Sequence, residues 1–532
     1  MKKSYDIIIL GAGAAGCAAA RAVAIRHPTA SVALIEEGGR GQPPSMAQVP
    51  MLQPFLPSLP KMKPFLRQIK AVGAEKNLAG RELVYTRGRG LGGSTLLNDM
   101  RYMRGSRADM EAWGDPQWTF DHLLPIYKSL ENNNRESAVH GDGGPLPVRD
   151  AQRSNVDSSM NVRFFEACEA AGLNPCEDFN SGDVSGYSAC QSVLQRGMRT
   201  DVFGSLLEAG RHLTPNLTVH TGLRAQRLQF EGGSTRVTGV ELQGKDGKSE
   251  VSAKEVILCL GAIDSPALLL RSGVGPTGTV LPLPGVGQNL IQGNVVDLVF
   301  RVKNAAGVYS KSFSVRNARY MFQQWREYRE DRTGVFSSFV EGMAVVPGVV
   351  EGDVSIVMHR TPHVGHHCWQ PVDGFTFRIT HHYPRGRGAV VVDETGETRV
   401  KGNFFEEKAD VEAMDQGIQW GGLLVSKTLR SVRYQDHTGE FVGPFCSYDP
   451  LVIHPHGGLH TQEDTALFLS TSAVPSDDIF GTCALGEVVD SRLQVKGLSG
   501  VRVADQSIVP QPTTAASAVI GSCIGTRVAE LI

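Results

Sequence analysis

The chain opens with an apolar run, a glycine-rich turn and an alanine-rich stretch, an order that predicts strand, turn and helix. Residues 5–10 are nearly continuous in hydrophobic character, as expected of a strand buried on both faces. Residues 14–25 suit a helix, and residues 31–35 form a second strand running into Glu36. Residues 43–64 are rich in proline yet too apolar for a solvated linker, and read as a segment laid over a domain surface. An amphipathic helix is expected over 161–171, closed by Gly172. A strand follows at 217–221, and 237–243 is expected to pair with 250–260 in an antiparallel meander. Between about residues 300 and 475 longer strands predominate, at 354–358, 375–380 and 388–392, with a helix over 410–429. No internal repeat is visible.

Composition narrows the class. A length of 532 residues exceeds what one core usually supports, so two connected domains are expected. A formal net charge of −2, with no block of Lys and Arg, argues against nucleic acid or an anionic membrane as partner. The nine cysteines lack C-x-x-C spacing, which favours a reducing, cytoplasmic or other intracellular compartment over a disulfide framework. No apolar run reaches the length of a membrane span, and no secretory leader is read before the first strand.

Gly11-Ala12-Gly13-Ala14-Ala15-Gly16 fits the G-x-G-x-x-G fingerprint between strand and helix. Gly11 permits the tight turn, Gly13 lets a pyrophosphate approach the backbone, and Gly16 allows helix and strand to pack closely. Glu36 stands where a carboxylate accepts ribose hydroxyls, with Glu37 as the neighbour that takes the role if the strand slips. The motif alone leaves NAD and FAD both open.

Further motifs carry a resemblance. Arg87-Gly88-Arg89-Gly90-Leu91-Gly92-Gly93-Ser94-Thr95-Leu96-Leu97-Asn98, then Tyr102-Met103-Arg104-Gly105, is similar to the first signature of the glucose–methanol–choline (GMC) oxidoreductases. Gly261-Ala262-Ile263-Asp264-Ser265-Pro266 and the residues through Pro276 resemble the second signature. Val501-Arg502-Val503-Ala504-Asp505 is similar to the strand whose Asp approaches the flavin diphosphate. The resemblance implies FAD, held by Gly11, Gly13, Gly16, Glu36, Gly92, Gly93, Ser94, Asn98, Asp505 and Ala516, with the Ala225 backbone against the adenine. It implies an α/β FAD-binding Rossmann-like domain with an inserted α+β substrate domain on an antiparallel sheet. Residues 1–160, 215–300 and 480–532 would form the first, and 161–214 with 301–479 the second. The reaction expected is hydride transfer from a C–H/CH–OH group of a small-molecule or lipid-like substrate to flavin N5. No His lies between Tyr85 and Gly105, so a histidyl flavin link in the first signature is not expected.

At the catalytic position the pattern departs. Alcohol-oxidising members hold a His in H-x-x-G-T-x-x-M-G, and this chain has Asp478-Ile479-Phe480-Gly481-Thr482-Cys483-Ala484-Leu485-Gly486. Ala516 stands where a His or Asn is expected, and no His follows Thr461. Asp478 can act as base if burial raises its pKa. The fatty-acid photodecarboxylase branch also lacks the His, and its Cys and Arg positions fall on His382 and Arg399. That leaves a non-hydride flavoenzyme, or a FAD-binding protein without the usual activity, as alternatives. Histidines group at His359, His363, His366 and His367, and at His454, His456 and His460, but without helix-borne metal spacing; no metal is expected.

Overall fold

The computed structural model describes residues 2–150, 160–302, 318–348, 354–365, 368–370, 372–428, 451–455, 459 and 461–532. The opening pattern becomes β1 (Ser4–Leu10), α1 (Ala14–Arg26) and β2 (Val32–Glu36). β1 and β2 pair in parallel, and every residue of β2 is buried, which explains its uninterrupted apolar run. The second sheet receives β3 (Gly186–Ala189) before the chain returns to the first. β4 (Leu217–Thr221) pairs β2 in parallel. β5 (Arg224–Phe230), β6 (Val237–Gly244) and β7 (Gly247–Leu258) then form the antiparallel meander, with β7 also parallel to β1. Near the C-terminus β14 (Val501–Val503) closes the seven-stranded sheet by pairing with β7.

The other seven-stranded sheet is antiparallel throughout. Its longest strand is β8 (Ile291–Arg301); β11 (Gly374–His381) pairs with β8, β10 (Val354–His359) with β11, and β9 (Val340–Val346) joins β10 to β3. β12 (Leu451–His454) and β13 (Val474–Phe480) both pair with β8. One face is covered by α4 (Lys408–Thr428), against which α2 (Met160–Ala170) packs. Gly417 and Gly421 let α4 come close: a Cβ on Gly417 would lie 2.7 Å from Val354 Cγ1, and one on Gly421 would lie 3.0 Å from Leu298 Cδ1.

Back at the first sheet, α1 is pinned between β1 and the terminal helix α5 (Ser517–Leu531), while α3 (Gly261–Arg271) follows β7. A Cβ on Gly16 would fall 1.8 Å from Gly11 O, and one on Gly525 would fall 2.1 Å from Ala15 O. That close approach brings three chain turns to one place: the Gly11 turn, the start of α3 and the start of α5. Residues 45–65 form short 3₁₀ turns whose Met51, Leu56 and Met62 are buried. Among the described residues no helix is long and apolar enough to cross a membrane.

Candidate active site

A single elongated cavity runs from Glu36 and Glu37, past Gly13, Gly93 and Asn98, to the antiparallel sheet and the start of α5. Its first half is backbone. Gly11 has φ +97°, and a Cβ there would lie 2.6 Å from Cys259 O, so only glycine fits this turn. A Cβ on Gly13 would meet no atom within 4 Å, which shows that its backbone faces open space. Gly13 caps α1 without any side-chain hydrogen bond, and the first turn carries no acidic residue. The helix N-terminus therefore offers unpaired N–H groups and positive dipole to an anion. The signature loop lies on top of this turn. Gly92 N–H donates to Ala12 O at 2.9 Å, and a Cβ on Gly93 would lie 2.7 Å from Gly13 Cα. Ser94 Oγ accepts from Gly88 N–H, and Asn98 Oδ1 from Arg199 Nη1, each at 3.0 Å.

Glu36 clasps the three segments together. Its Oε1 accepts from Gly38 N–H at 2.8 Å and Gly90 N–H at 2.9 Å, and its Oε2 from Ala12 N–H at 2.9 Å. Burial raises its pKa in spite of these three bonds. Glu37 is committed elsewhere, to Arg67 and Arg89 at 3.0 Å each and Arg224 at 3.5 Å.

The far end of the cavity is polar in a different way. Asp478, on β13, accepts from Ser517 N–H at 2.8 Å at the start of α5. Its other oxygen lies 3.6 Å from Arg101 Nη2, and Asp99 Oδ2 lies 3.7 Å from Arg101 Nε. The Asp478 side chain is about one-quarter exposed and lines the cavity beside Ala516 and Ser517. Burial raises its pKa, with Arg101 and the Ser517 N–H opposing. Facing them on the sheet are Val295, Arg378, Thr380, Val357 and His359. Arg378 is locked to Asp297 by two parallel bonds of 2.9 Å. Burial works against both charges, but each partner outweighs it, so the carboxylate pKa is lowered and the guanidinium pKa raised.

Comparison with known proteins now bears on this geometry. Family models described as GMC oxidoreductase match residues 5–294 and 384–524. The chain belongs to the GMC oxidoreductase family. Pyridoxine 4-oxidase of Microbacterium luteolum is 29% identical over 531 residues, covering 96% of each chain. The alcohol dehydrogenase [acceptor] of Pseudomonas putida is 27% identical, over 95% of this chain and 91% of that protein. Among solved structures, pyridoxine 4-oxidase from Mesorbium loti superposes with a TM-score of 0.80 at 24% identity, covering 99% of this chain and 98% of that one. Formate oxidase of Aspergillus oryzae, a structure concerned with FAD modification, gives 0.84 at 22%, over 99% and 98%. As a GMC oxidoreductase the chain is a FAD-dependent enzyme acting on the CH–OH group of its donor. The light-driven alternative is not favoured, since the relatives named here are oxidases and dehydrogenases.

Several residues named from the sequence of this GMC oxidoreductase do not line the cavity. Arg399 pairs with Asp393 at 2.9 Å on a half-exposed hairpin and does not line the cavity. His382 also lies outside the lining: its Nε2 and Ser355 Oγ are 2.8 Å apart, and burial with the nearby Arg101 charge lowers its pKa to about 3. Such an imidazole stays neutral and is a poor base near neutral pH. Ala225 sits on β5, paired with Leu242, outside the lining too. Asp505 is wholly buried and its carboxylate is consumed by the protein, accepting from Gly261 N–H at 2.8 Å, Ser265 Oγ at 2.5 Å and Ser507 N–H at 2.8 Å. It holds the starts of α3 and the Gln506 turn against the cavity and is not itself a lining residue. His366, His367, His456 and His460 lie outside the described residues. Asp99, Arg101, Asp297 and Arg378 went unnoticed in the sequence. A signal did exist: Asp297 and Arg378 each stand between two apolar neighbours inside a strand, where a buried charge needs a partner across the sheet.

Proposed function

We propose that Asp478 accepts the hydroxyl proton of the donor, in the place where other GMC oxidoreductases hold a His. The observation that carries this reading is the position of its carboxylate, in the cavity beside Ala516, anchored by the Ser517 N–H at 2.8 Å. Ala516 has no proton to exchange, so of the two motif positions only Asp478 can do acid–base work. Burial brings the Asp478 pKa up from the ordinary carboxylate range, nearer to the value a base needs. FAD, held there, would supply the two-electron acceptor for the hydride of the donor carbon. The residues fit that cofactor: the open backbone at Gly13, the uncapped α1 N-terminus and the Glu36 clasp lie along one continuous cavity. As the C–H pair leaves, the O–H proton passes to Asp478 Oδ2 and a C=O double bond forms. Arg101, within 4 Å, stabilises the carboxylate before it is protonated.

We also propose that the antiparallel sheet is the floor of a substrate domain inserted between segments of the FAD-binding domain. All strands of the first sheet fall before residue 259 or after residue 500, which supports that division. The boundary is better drawn before Ile291 than at residue 300, because β8 starts there.

Asp478→Asn tests the base. The amide oxygen still accepts from Ser517 N–H, so the fold and FAD content should be retained. Flavin reduction by alcohols under anaerobic stopped flow should slow by about 10²–10⁴-fold, the usual worth of a general base. Reduction at the wild-type rate in this variant would sink the assignment.

A further inference from the structure

Among the arginines that line the cavity, Arg378 and Arg101 differ in how their donors are met. Arg378 gives Nε and Nη2 to Asp297, and Gly365 N–H closes on the same carboxylate at 2.7 Å. Arg101 has no such arrangement. Among the described residues its Nε is buried without a hydrogen-bond partner, and its Nη1 meets Met343 Sδ at 3.9 Å. The nearest carboxylate oxygens stand 3.6 and 3.7 Å away, which is ion-pair range but beyond hydrogen-bond length. The side chain is only 11% exposed. Arginine presents five N–H donors in a flat fork, and burying its Nε unmet, with only a weak sulfur acceptor at Nη1, is unfavourable. Asp99 and Asp478 thus supply countercharge, while the hydrogen bonds remain to be made.

We infer that Arg101 anchors a carboxylate on the substrate, so that the donor belongs to the class of hydroxy acids. The inference rests on the reaction proposed above for its word "donor", but anion binding itself needs no turnover. Two features favour a planar carboxylate as the ligand of the fork. A carboxylate matches the fork with two parallel bonds. The Arg378 charge, felt at Arg101, adds to the attraction for an anion even though Asp297 offsets much of it. Asp478 and Arg101 line the same end of the cavity. A hydroxyl one or two bonds from the anchored carboxylate therefore lies within reach of the proton acceptor. Arg101 is in this reading a binding residue that also orients the reacting C–H.

The test uses the FAD-loaded enzyme. Propionate and benzoate, which carry no oxidisable hydroxyl, are titrated against it alongside propionamide and benzamide, with the visible spectrum of the flavin as readout. Saturable perturbation by the acids and not by the amides is expected. Arg101→Met should weaken acid binding by about tenfold or more, and Arg101→Lys by a smaller factor, because the charge stays while the fork is lost. Equal binding of acids and amides, or acid affinity unchanged in Arg101→Met, would overturn the anchor. If Arg101→Met sheds its flavin, Arg101→Lys decides: several-fold weaker binding supports the anchor and unchanged binding refutes it. Acid binding without oxidation of any alcohol would refute the proposed reaction and leave the anchor standing. Oxidation of neutral alcohols with no acid binding would do the opposite.

Discussion

Glu36 makes a sharp test of how the cofactor end is built, because one carboxylate joins three separate segments. In Glu36→Gln the side-chain volume is kept and one acceptor oxygen becomes an NH₂ group. The best placement leaves the amide oxygen with the Gly38 and Gly90 N–H groups, both now served by Oε1. The NH₂ then faces the Ala12 N–H, donor against donor, where Oε2 used to accept at 2.9 Å. An unmet buried donor costs about 1–3 kcal/mol. The two remaining bonds lose their charge assistance, roughly half their strength, or about 0.5 kcal/mol each. The sum is about 2–4 kcal/mol. If it falls on the bound state, FAD affinity drops roughly 30- to 700-fold. FAD fluorescence titration of deflavinated protein measures that directly, and thermal unfolding with and without FAD shows whether the loss is in binding or in the fold. Glu36→Asp keeps the charge but withdraws it by one methylene, and should fall between the two. Glu36→Gln binding FAD within twofold of wild type, at unchanged thermal stability, would refute the clasp.

Two glycines of one motif should fail differently. Gly16→Ala places a methyl 1.8 Å from Gly11 O and should lower the melting temperature of the apoprotein itself, read by calorimetry. Gly13→Ala meets no protein atom, so it should leave the apoprotein melting temperature unchanged and reduce only FAD affinity. His140 provides a pH prediction. Burial pulls its pKa down, but hydrogen bonds with Asp178 (2.6 Å) and Glu131 (3.1 Å) outweigh this and the net shift is upward. Its stabilisation is therefore complete below the unfolded value of 6.5 and is lost as pH rises through the folded value. Thermal stability should fall on going from pH 6 to mildly alkaline conditions, and His140→Asn should flatten that slope. Arg399→Ala should change kcat/KM by less than about twofold and stability by under about 1 kcal/mol, as for an exposed pair.

What could be read in the chain before folding was what depends on near neighbours. β1, the Gly11 turn and α1 are legible because a parallel strand buried on both faces, a left-handed turn and an alanine-rich helix each write their own local pattern. The departure at Asp478 and Ala516 is legible too, since motif spacing places both beside the flavin site. The partners of charged residues are another matter. Asp505 carries the same letter whether it faces a cofactor or caps Gly261 and Ser507, and only the crossing of β14 against β7 decides which. Asp297 and Arg378 are 81 residues apart and meet only because β8 and β11 take one register; a slip of one strand by one residue would leave them on opposite faces. Arg101 is the extreme case. It sits between two stretches of a recognisable signature, and the deficit at its Nε exists only once Asp99 and Asp478 have been brought around it at ion-pair and not hydrogen-bond distances. Sequence displays the charge, folding creates the deficit, and the deficit is what points to a carboxylate-bearing substrate.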